Sequence, residues 1–139
     1  MRWPWQKKQE PAHLRAGVWG EQLAERMLAG KGYRILGRRV RVGTRDELDL
    51  VARHGEVLVF VEVKTRGAED FGRPLSSVDR AKRHALSRAA IRYLKKLRQR
   101  PDYFRFDVVE VVGKPGVGEP VIRHIESAFT LDPQYRVPW

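Results

Sequence analysis

Apolar residues recur along the chain in two rhythms, one helical and one extended. In the first segment, Leu14, Val18, Ala24 and Leu28 fall on one stripe of a helix, and Gly30 follows where a helix would stop. Later runs are shorter, rich in valine, and bounded by glycine or proline, as strands are. The predicted elements, in chain order, are a helix over 13–29, strands over 33–42, 48–53 and 56–65, a helix from Ser76 or Ser77 to about residue 99, and strands over 103–112 and 121–126.

The order helix, three strands, helix, two strands predicts one α/β domain with a mixed central sheet flanked by helices. A chain of 139 residues is long enough to bury such a core. No repeat, low-complexity tract or linker divides it. We therefore expect a flexible N-terminal arm over 1–12, a single domain over 13–130 and a C-terminal tail over 131–139.

The charge of the chain predicts a binding partner. The net charge is +11, within a globular composition of 42% apolar and 32% charged residues. Such a surface suits a polyanion: nucleic acid is the first expectation, an anionic membrane surface the second, and a basic surface without a specific partner the plain alternative. The chain has no cysteine, which excludes disulfides, zinc–thiolate sites and thiol catalysis.

Nothing in the sequence predicts membrane insertion or export. The longest uninterrupted apolar run, 57–61, is far shorter than a membrane span. The first residues lack the apolar core of a signal peptide. We expect a cytoplasmic protein with no membrane partner.

Two predicted strands carry charges where a buried strand should be apolar. Residues 47–51 have the sequence ELDLV, and residues 60–64 have the sequence FVEVK. Burying a carboxylate or an ammonium group without a partner costs several kcal/mol or more, so such residues are rarely kept in a core without a role. Glu21 falls in the same way on the apolar stripe of the first helix, where attraction to the helix N-terminus is an equally good explanation.

The turn between these two strands decides which charges meet. If residues 54 and 55 form a two-residue loop, Glu47 lies opposite Glu62 and Asp49 lies opposite Phe60. Alternation then places Lys64 on the same face. The other face is apolar throughout and consists of Leu48, Leu50, Ala52, Val57, Val59, Val61 and Val63. A three-residue loop would shift the register by one and turn Asp49 away from Glu62.

Carboxylates this close repel one another and resist ionising together. A divalent cation removes the conflict, and Mg²⁺ or Mn²⁺ prefers oxygen ligands, with water and substrate phosphate completing its shell. The pattern therefore predicts a metal site for phosphate chemistry, in which Lys64 orients or deprotonates the attacking water or stabilises charge on the phosphoryl oxygens. The alternative is an ion cluster at a strand end, where Lys64 only neutralises the acids.

Basic residues around this site are expected to hold nucleic-acid phosphates, mainly through charge and counterion release. Most lie on the second helix, and the others lie on the first strand and just after the third. The predicted nucleic-acid-binding residues are Arg38, Arg39, Arg66, Arg80, Lys82, Arg83, Arg88 and Arg92.

These motifs resemble the PD-(D/E)XK nuclease superfamily, whose core pattern is matched by Asp49 and the later Glu62-Val63-Lys64. More closely, residues 16–130 resemble the YraN-type family of uncharacterised bacterial endonuclease-like proteins. The motifs that carry the resemblance are Gly20-Glu21 with Ala24 and Leu28, Gly32-Tyr33, Glu47-Leu48-Asp49-Leu50-Val51, Phe60-Val61-Glu62-Val63-Lys64-Thr65-Arg66, Arg105-Phe106-Asp107 and Ala128-Phe129.

The resemblance implies a restriction-endonuclease-like αβββαβ core and a metal-dependent nuclease that acts on DNA rather than RNA, including branched or structured DNA, in repair or recombination. It implies Asp49, Glu62, Lys64 and Glu21 as catalytic residues. The chain is also similar to archaeal Holliday-junction resolvases, in which a glutamate on the first helix joins the metal site. The implied ligands of one or two Mg²⁺ or Mn²⁺ ions are thus Asp49, Glu62, Glu21 and Glu47. A cutter that nicks junctions symmetrically would be a homodimer.

Two positions depart from the family pattern. Asp46 replaces the glycine usual before the acidic motif and adds an acid next to the site, and Arg38 and Arg39 stand where the first strand commonly carries an asparagine. Two alternatives to an active nuclease stay open. One is a nucleic-acid-binding module with a nuclease fold and little or no cleavage activity, and the other is a basic interaction protein whose acid cluster is only structural.

Overall fold

Two helices and five strands make up residues 12–67 and 78–139, the part of the chain that the computed structural model describes. They are α1 (Ala12–Gly30), β1 (Arg34–Val42), β2 (Asp46–His54), β3 (Val57–Arg66), α2 (Arg80–Lys95), β4 (Tyr103–Lys114) and β5 (Val117–Phe129). All seven predicted elements are present in the predicted order. The predicted arm over 1–12 lies outside the described residues, except for Ala12, where α1 begins.

The five strands form one sheet in the order β1-β2-β3-β4-β5. Strands β3 and β4 are parallel, and the other neighbours are antiparallel. A parallel pair needs a long crossover, and the segment containing α2 supplies it. The predicted α/β class with a mixed sheet is therefore confirmed, and its first six elements follow the αβββαβ order of a restriction-endonuclease-like core.

The core consists of two clusters of buried residues, one for each helix. Leu86 and Leu94 of α2 belong to the same cluster as Phe60. Ala24 and Leu28 of α1 belong to the other cluster, with Val59, Val61 and further strand residues. Side chains of the central strands thus alternate between the α2 face and the α1 face of the sheet. Within residues 12–67 and 78–139, no helix is long and apolar enough to cross a membrane.

The turn between β2 and β3 differs from the prediction. His54 pairs with Val57, so Gly55 and Glu56 form the loop, and residues 54 and 55 do not. Gly55 has φ of +60°, which glycine adopts without strain. All pairs shift by two residues, and the pairing ends at Leu50 opposite Val61, so Glu47 is not paired with Glu62 as predicted. Because the shift is even, the predicted alternation of faces in β3 is unchanged.

Leu48 is not on the face predicted for it. The backbone pairing of β2 with β3 ends at Leu50 and Val61. Beyond that pair, Leu48 packs in the α2 cluster, whereas Leu50 packs in the α1 cluster. On the other side of β2, Arg39 has a left-handed backbone with φ of +45°. The regular alternation on which the prediction rested therefore breaks where β2 separates from β3.

Helix α2 is shorter than predicted at both ends. The side chain of Asp79 caps it by accepting a hydrogen bond from the backbone N–H of Lys82 at 2.7 Å. The predicted caps, Ser76 and Ser77, lie outside the described residues. The helix ends at Lys95, before the predicted end near residue 99.

The last two strands are longer than predicted. Lys114 of β4 pairs with Val117 of β5, so the loop is confined to residues 115–116 instead of 113–120. After β5, Arg83 of α2 donates hydrogen bonds to the carbonyl oxygens of Thr130 and Leu131, at 2.8 and 3.0 Å. These bonds hold the start of the tail against α2.

A buried polar network joins β4 to β5 on the α1 face. Asp107 is fully buried and accepts hydrogen bonds from Arg105 Nε at 2.9 Å and from the backbone N–H of Ser127 at 3.0 Å. His124 Nε2 lies 2.8 Å from the same carboxylate. A buried carboxylate with several donors is compensated, so the Arg105-Phe106-Asp107 motif has a structural explanation.

Candidate functional site

Asp49 lies where β2 separates from β3. Leu50 and Val61 form the last backbone pair of these strands, and Asp49 is the next residue of β2 toward the open end of the hairpin. Its Oδ2 accepts a hydrogen bond from the backbone N–H of Val63 at 2.9 Å. The Asp49 side chain thus accepts the hydrogen bond that a carbonyl group of a neighbouring strand would otherwise accept. This bond fixes the Asp49 carboxylate beside Glu62.

Glu62 lies on the α2 face of β3 and is 8% exposed. Its Oε1 is 3.3 Å from the ammonium nitrogen of Lys82, near the start of α2. Its Oε2 is buried and accepts no hydrogen bond from the described part of the chain. A buried carboxylate oxygen without a donor is unfavourable, and such an atom in a native fold calls for a functional explanation.

The two carboxyl groups perturb each other's ionisation. Burial, and then the charge of Glu62, raise the pKa of Asp49 to about 7, although the Val63 N–H favours the carboxylate. Burial also raises the pKa of Glu62, opposed by the charge and hydrogen bond of Lys82, the charge of Lys64 and a hydrogen bond with Asp49. Near neutral pH the pair therefore resists carrying two negative charges, which is the condition that a divalent cation relieves.

Lys64 follows Glu62 by two residues on β3 and points to the same face. It is half-buried, and β4 places Glu110 directly beside it in the parallel register. Its charge favours the ionised form of Glu62. The predicted neighbours Asp49, Glu62 and Lys64 are therefore brought together.

Glu21 reaches this region because α1 packs closely on the end of β3. A side chain at Gly20 would collide with Thr65, the residue after Lys64, so only glycine permits this approach. Glu21 accepts a hydrogen bond from Arg39 Nε at 2.7 Å. Its charge contributes to the raised pKa of Asp49. The first helix thus presents its acid toward the site, where an arginine neutralises it.

The four acids predicted as metal ligands are not assembled into one cluster. Among the residues that the structure describes, no group of three acidic or histidine side chains is close enough to hold a metal ion. Glu21 is bound by Arg39, and Glu47 is exposed at the start of β2. The Asp49–Glu62 pair still fits a hard cation, because Mg²⁺ usually takes one or two carboxylates with water and phosphate. The unpartnered Oε2 of Glu62 is the atom such an ion would satisfy.

Comparison with known proteins places this architecture in a family. The sequence model described as uncharacterised protein family UPF0102 matches residues 20–111. The chain belongs to UPF0102. This confirms the resemblance to the YraN-type family, and the matched segment begins at Gly20 and contains Asp49, Glu62 and Lys64.

Relatives match most of this UPF0102 chain. A UPF0102 protein of Symbiobacterium thermophilum is 47% identical over 115 residues, covering 83% of this chain and 96% of that protein. One of Chlorobaculum tepidum is 42% identical over 119 residues, covering 83% and 92%. Among solved structures, Pyrococcus furiosus SfsA in complex with Ca²⁺ is similar at a TM-score of 0.39 and 14% identity, over 82% of this chain and 63% of that one.

Most of the predicted nucleic-acid-binding residues of this UPF0102 chain have acidic or backbone partners. Arg38 binds Glu25 through Nε at 2.8 Å, and Arg88 binds Asp46 through two bonds of 2.7 Å. The Arg88 pairing lowers the pKa of Asp46 and directs its carboxylate to α2, so Asp46 does not add a free acid to the site. Lys82, Arg83, Arg39 and Arg66 also have partners in the fold. Arg80 and Arg92 are exposed on α2.

Sequence reasoning missed one charged group on this face. Glu110 lies in the run DVVEVV of β4 and is fully buried beside Lys64. Arg66 and Arg123 flank it. The signal that identifies Glu110 is the same as for Glu62, a charged residue inside an apolar strand.

Proposed function

We propose that this chain is a metal-dependent nuclease that hydrolyses phosphodiester bonds in DNA, including branched or structured DNA. The observation that carries the proposal is the Asp49–Glu62 pair. Both carboxyl groups have raised pKa values, and an oxygen of Glu62 accepts no hydrogen bond from the described residues. With Lys64 beside it, the pair offers oxygen ligands and positive charge in one place, as phosphate hydrolysis requires.

Asp49 and Glu62 would hold Mg²⁺ or Mn²⁺, and Glu21 is the next candidate ligand, at present bound by Arg39. When bound, such an ion polarises the phosphate and lowers the pKa of a coordinated water. The N–H of Val63 keeps the Asp49 carboxylate in one orientation. A carboxylate that is already held in one orientation would need less reorganisation during the reaction.

Lys64 would act on the substrate side of the pair. Its ammonium group favours ionised Glu62, which prepares that residue to bind a cation. The same charge would stabilise the negative charge that develops on the phosphoryl oxygens or hold the attacking water. The net charge of +11 supports a polyanionic substrate, and exposed Arg80 and Arg92 supply contacts that do not depend on sequence.

A second candidate is a nucleic-acid-binding module with little or no cleavage. It is favoured by two observations: Lys82 already neutralises Glu62, and Arg39 already neutralises Glu21. A protein that only binds would lose nothing by keeping its acids in such pairs.

A cleavage assay separates the two candidates. Purified protein is given linear, flapped, junction and single-stranded DNA, and RNA, with Mg²⁺ or Mn²⁺. Glu62→Gln and Lys64→Ala are expected to lower the cleavage rate by about 100-fold or more, since each removes a group that acts on the transition state. Lys95→Ala removes an exposed charge at the end of α2 and serves as the matched control.

The outcomes differ for each hypothesis. Salt-sensitive binding without cutting supports the binding module. No binding to any substrate leaves the basic interaction protein. Cleavage that is equal in the wild type and in Lys64→Ala indicates a contaminating nuclease and refutes the proposed assignment.

A further inference from the structure

Lys82 lies in the first turn of α2, where a helix disfavours a cation. The side chain of Asp79 caps this helix and accepts a hydrogen bond from the backbone N–H of Lys82 at 2.7 Å, so the start of α2 is fixed. The first turn contains no acidic residue. Because the positive end of the helix dipole lies here, a lysine at this position needs a partner outside the helix. That partner is Glu62 of β3.

The ammonium group of Lys82 approaches the carboxylate pair from the solvent side. Its nitrogen lies 3.3 Å from Glu62 Oε1, and the Lys82 side chain is 46% exposed, whereas that of Glu62 is 10% exposed. Burial raises the pKa of both Glu62 and Asp49, and the charge of Lys82 opposes this rise in each. Glu62 Oε2 still accepts no hydrogen bond from the residues that the structure describes. Lys82 therefore contributes one positive charge at a place where two carboxylates are buried together.

The contact between Lys82 and Glu62 can be exchanged, because only the backbone end of Lys82 is fixed. The Asp79 cap holds that end, whereas the ammonium group, nearly half exposed, ends a flexible four-carbon stem. Lys64, the other cation beside Glu62, has an acidic neighbour in Glu110 of β4. Of the two lysines, Lys82 is therefore the one that can give up its place at Glu62 to another cation.

A divalent cation bound by Asp49 and Glu62 would repel the ammonium group at Glu62 Oε1, because both are positive and the surroundings are partly desolvated. The nearest anion for the displaced ammonium group would be the phosphate that completes the shell of the ion. Since the cap fixes the backbone of Lys82, the side chain would stay at the edge of the site while its ammonium group changes partner. One residue could thus serve the site both with and without the ion.

We propose that Lys82 occupies the cation position at Glu62 in the metal-free protein, and that a divalent cation displaces its ammonium group toward a phosphate of the nucleic acid. This rests on the proposed function for the ion and the phosphate, but the competition for Glu62 requires no cleavage. The Lys82–Glu62 pair is then the unloaded state of a metal site. Lys82 couples the binding of the ion to the binding of the substrate.

Metal affinity tests the competition without DNA. Mg²⁺ is titrated calorimetrically at about pH 8, above the pKa of Asp49, into the wild type and each variant. Lys82→Met keeps an apolar stem and removes the charge, so it should bind Mg²⁺ at least about fivefold more tightly than the wild type. Lys82→Arg keeps a competing cation and should bind as the wild type does. Lys95→Met removes an exposed charge at the other end of α2 and should also leave the affinity unchanged.

Thermal unfolding distinguishes an exchangeable cation from a merely structural ion pair. In EDTA, Lys82→Met leaves the buried carboxylates without the ammonium group, so its Tm should fall below that of the wild type. In saturating Mg²⁺ most of this difference should disappear, because the ion replaces the lost charge. Lys95→Met should gain as much from Mg²⁺ as the wild type does. A Tm deficit of Lys82→Met that is the same in EDTA and in Mg²⁺ would contradict the exchange.

DNA binding tests the second half of the proposal. Labelled duplex and junction DNA are titrated in EDTA and in Ca²⁺, a hard cation that takes oxygen ligands as Mg²⁺ does, and a denaturing gel verifies that the DNA stays intact. The wild type should gain a phosphate contact when it is loaded. Lys82→Met should therefore weaken binding several-fold more in Ca²⁺ than in EDTA, whereas Lys95→Met should weaken it by the same factor in both.

The outcomes separate this inference from the proposed nuclease. Equal or weaker Mg²⁺ binding by Lys82→Met would overturn the competition, even if the wild type cleaves DNA. Tighter Mg²⁺ binding by Lys82→Met, with no cleavage by any of the proteins, would support the exchange and refute the nuclease. A loss of DNA binding that does not depend on the ion would overturn the phosphate contact. An absence of Mg²⁺ binding by every variant would overturn both the exchange and the nuclease.

Discussion

The side chain of Asp49 accepts a hydrogen bond from the backbone N–H of Val63, at the position where β2 and β3 stop pairing. The bond ends the hairpin ladder and fixes one carboxylate beside another. The Val63 N–H is thus satisfied by Asp49. Burial, and then the charge of Glu62, raise the pKa of Asp49 to about 7. The arrangement is unfavourable for an empty pair of carboxylates and suited to a pair that receives a cation.

The raised pKa of Asp49 should make the stability of the protein depend on pH. The pKa of Asp49 rises on folding from 3.8 to about 7, so the folded state binds the extra proton between these values. The stabilisation is complete below about pH 4 and is lost as pH rises through 7. Asp49→Asn removes this dependence, and at about pH 8 it should be more stable than the wild type by about 2–4 kcal/mol, since one pKa unit is worth about 1.4 kcal/mol. Urea unfolding of both proteins across this range gives the difference, which must change with pH for the prediction to hold.

Divalent cations should stabilise the wild type. Mg²⁺ or Mn²⁺ at about 100 times its dissociation constant should add about 2.7 kcal/mol to the free energy of unfolding. The gain should grow as pH rises toward 7 and above, because Asp49 must release its proton to bind. Glu62→Gln should lose the effect. Glu56→Gln, exposed in the β2–β3 turn, should keep it. Equal stabilisation of all three proteins in thermal melts would mean that the ion binds elsewhere.

Two glycines of α1 should respond in opposite ways to alanine. A methyl group at Gly20 collides with Thr65 Oγ1, and rotating the Thr65 side chain about χ1 does not move its Cβ, which would still lie 3.2 Å from the added carbon. Gly20→Ala should therefore destabilise the protein by about 1–3 kcal/mol. A methyl group at Gly17 meets nothing within 4 Å, so Gly17→Ala should stabilise the helix by about 0.5–1 kcal/mol. Denaturant midpoints measure both, and equal effects would show that α1 does not rest on Thr65.

The left-handed backbone at Arg39 gives a separate test. Arg39→Gly and Arg39→Ala both lose the ion pair with Glu21, so their difference isolates the backbone. With φ at +45°, glycine should be more stable than alanine by about 1 kcal/mol. At Arg41, an exposed position in the same strand, the order should reverse because glycine weakens a regular strand. The same order at both sites in urea titrations would contradict the conformational explanation.

Alternation along β3 predicts that Glu62 and Lys64 share a face, whereas Asp49 reaches them where the alternation of β2 breaks. An error of two residues in the register preserves faces, so the prediction survived a wrong turn. The turn itself was not predictable, because Gly55 serves equally well as the first or the second residue of a two-residue loop. The observed choice moves every pair by two residues, so Leu50 lies opposite Val61 and Asp49 is the first residue of β2 beyond the paired segment.

The partners of the acids depended on contacts between distant segments. Glu21 and Arg39 belong to different elements, and their pairing follows from the approach of Gly20 to Thr65. Leu48 departs from its expected face where the pairing of β2 with β3 ends and the Asp49 side chain accepts a hydrogen bond from the Val63 N–H. The pattern of a single strand or helix predicts neither the Glu21–Arg39 pair nor the face of Leu48. The positive φ of Arg39 likewise has no signal in the sequence, because arginine is not a residue that favours the left-handed conformation.

Strand β1 is an open edge of the sheet, and its irregular backbone affects how copies of the protein can associate. An incoming strand needs a straight, unbroken row of N–H and C=O groups. In β1 the register shifts between Ile35 and Gly37, and Arg39 turns left-handed two residues later. These irregularities oppose a continuous ladder between two molecules along this edge. If copies of the chain associate on a DNA junction, as the proposed function would require, β1 is therefore not the edge through which their sheets would join.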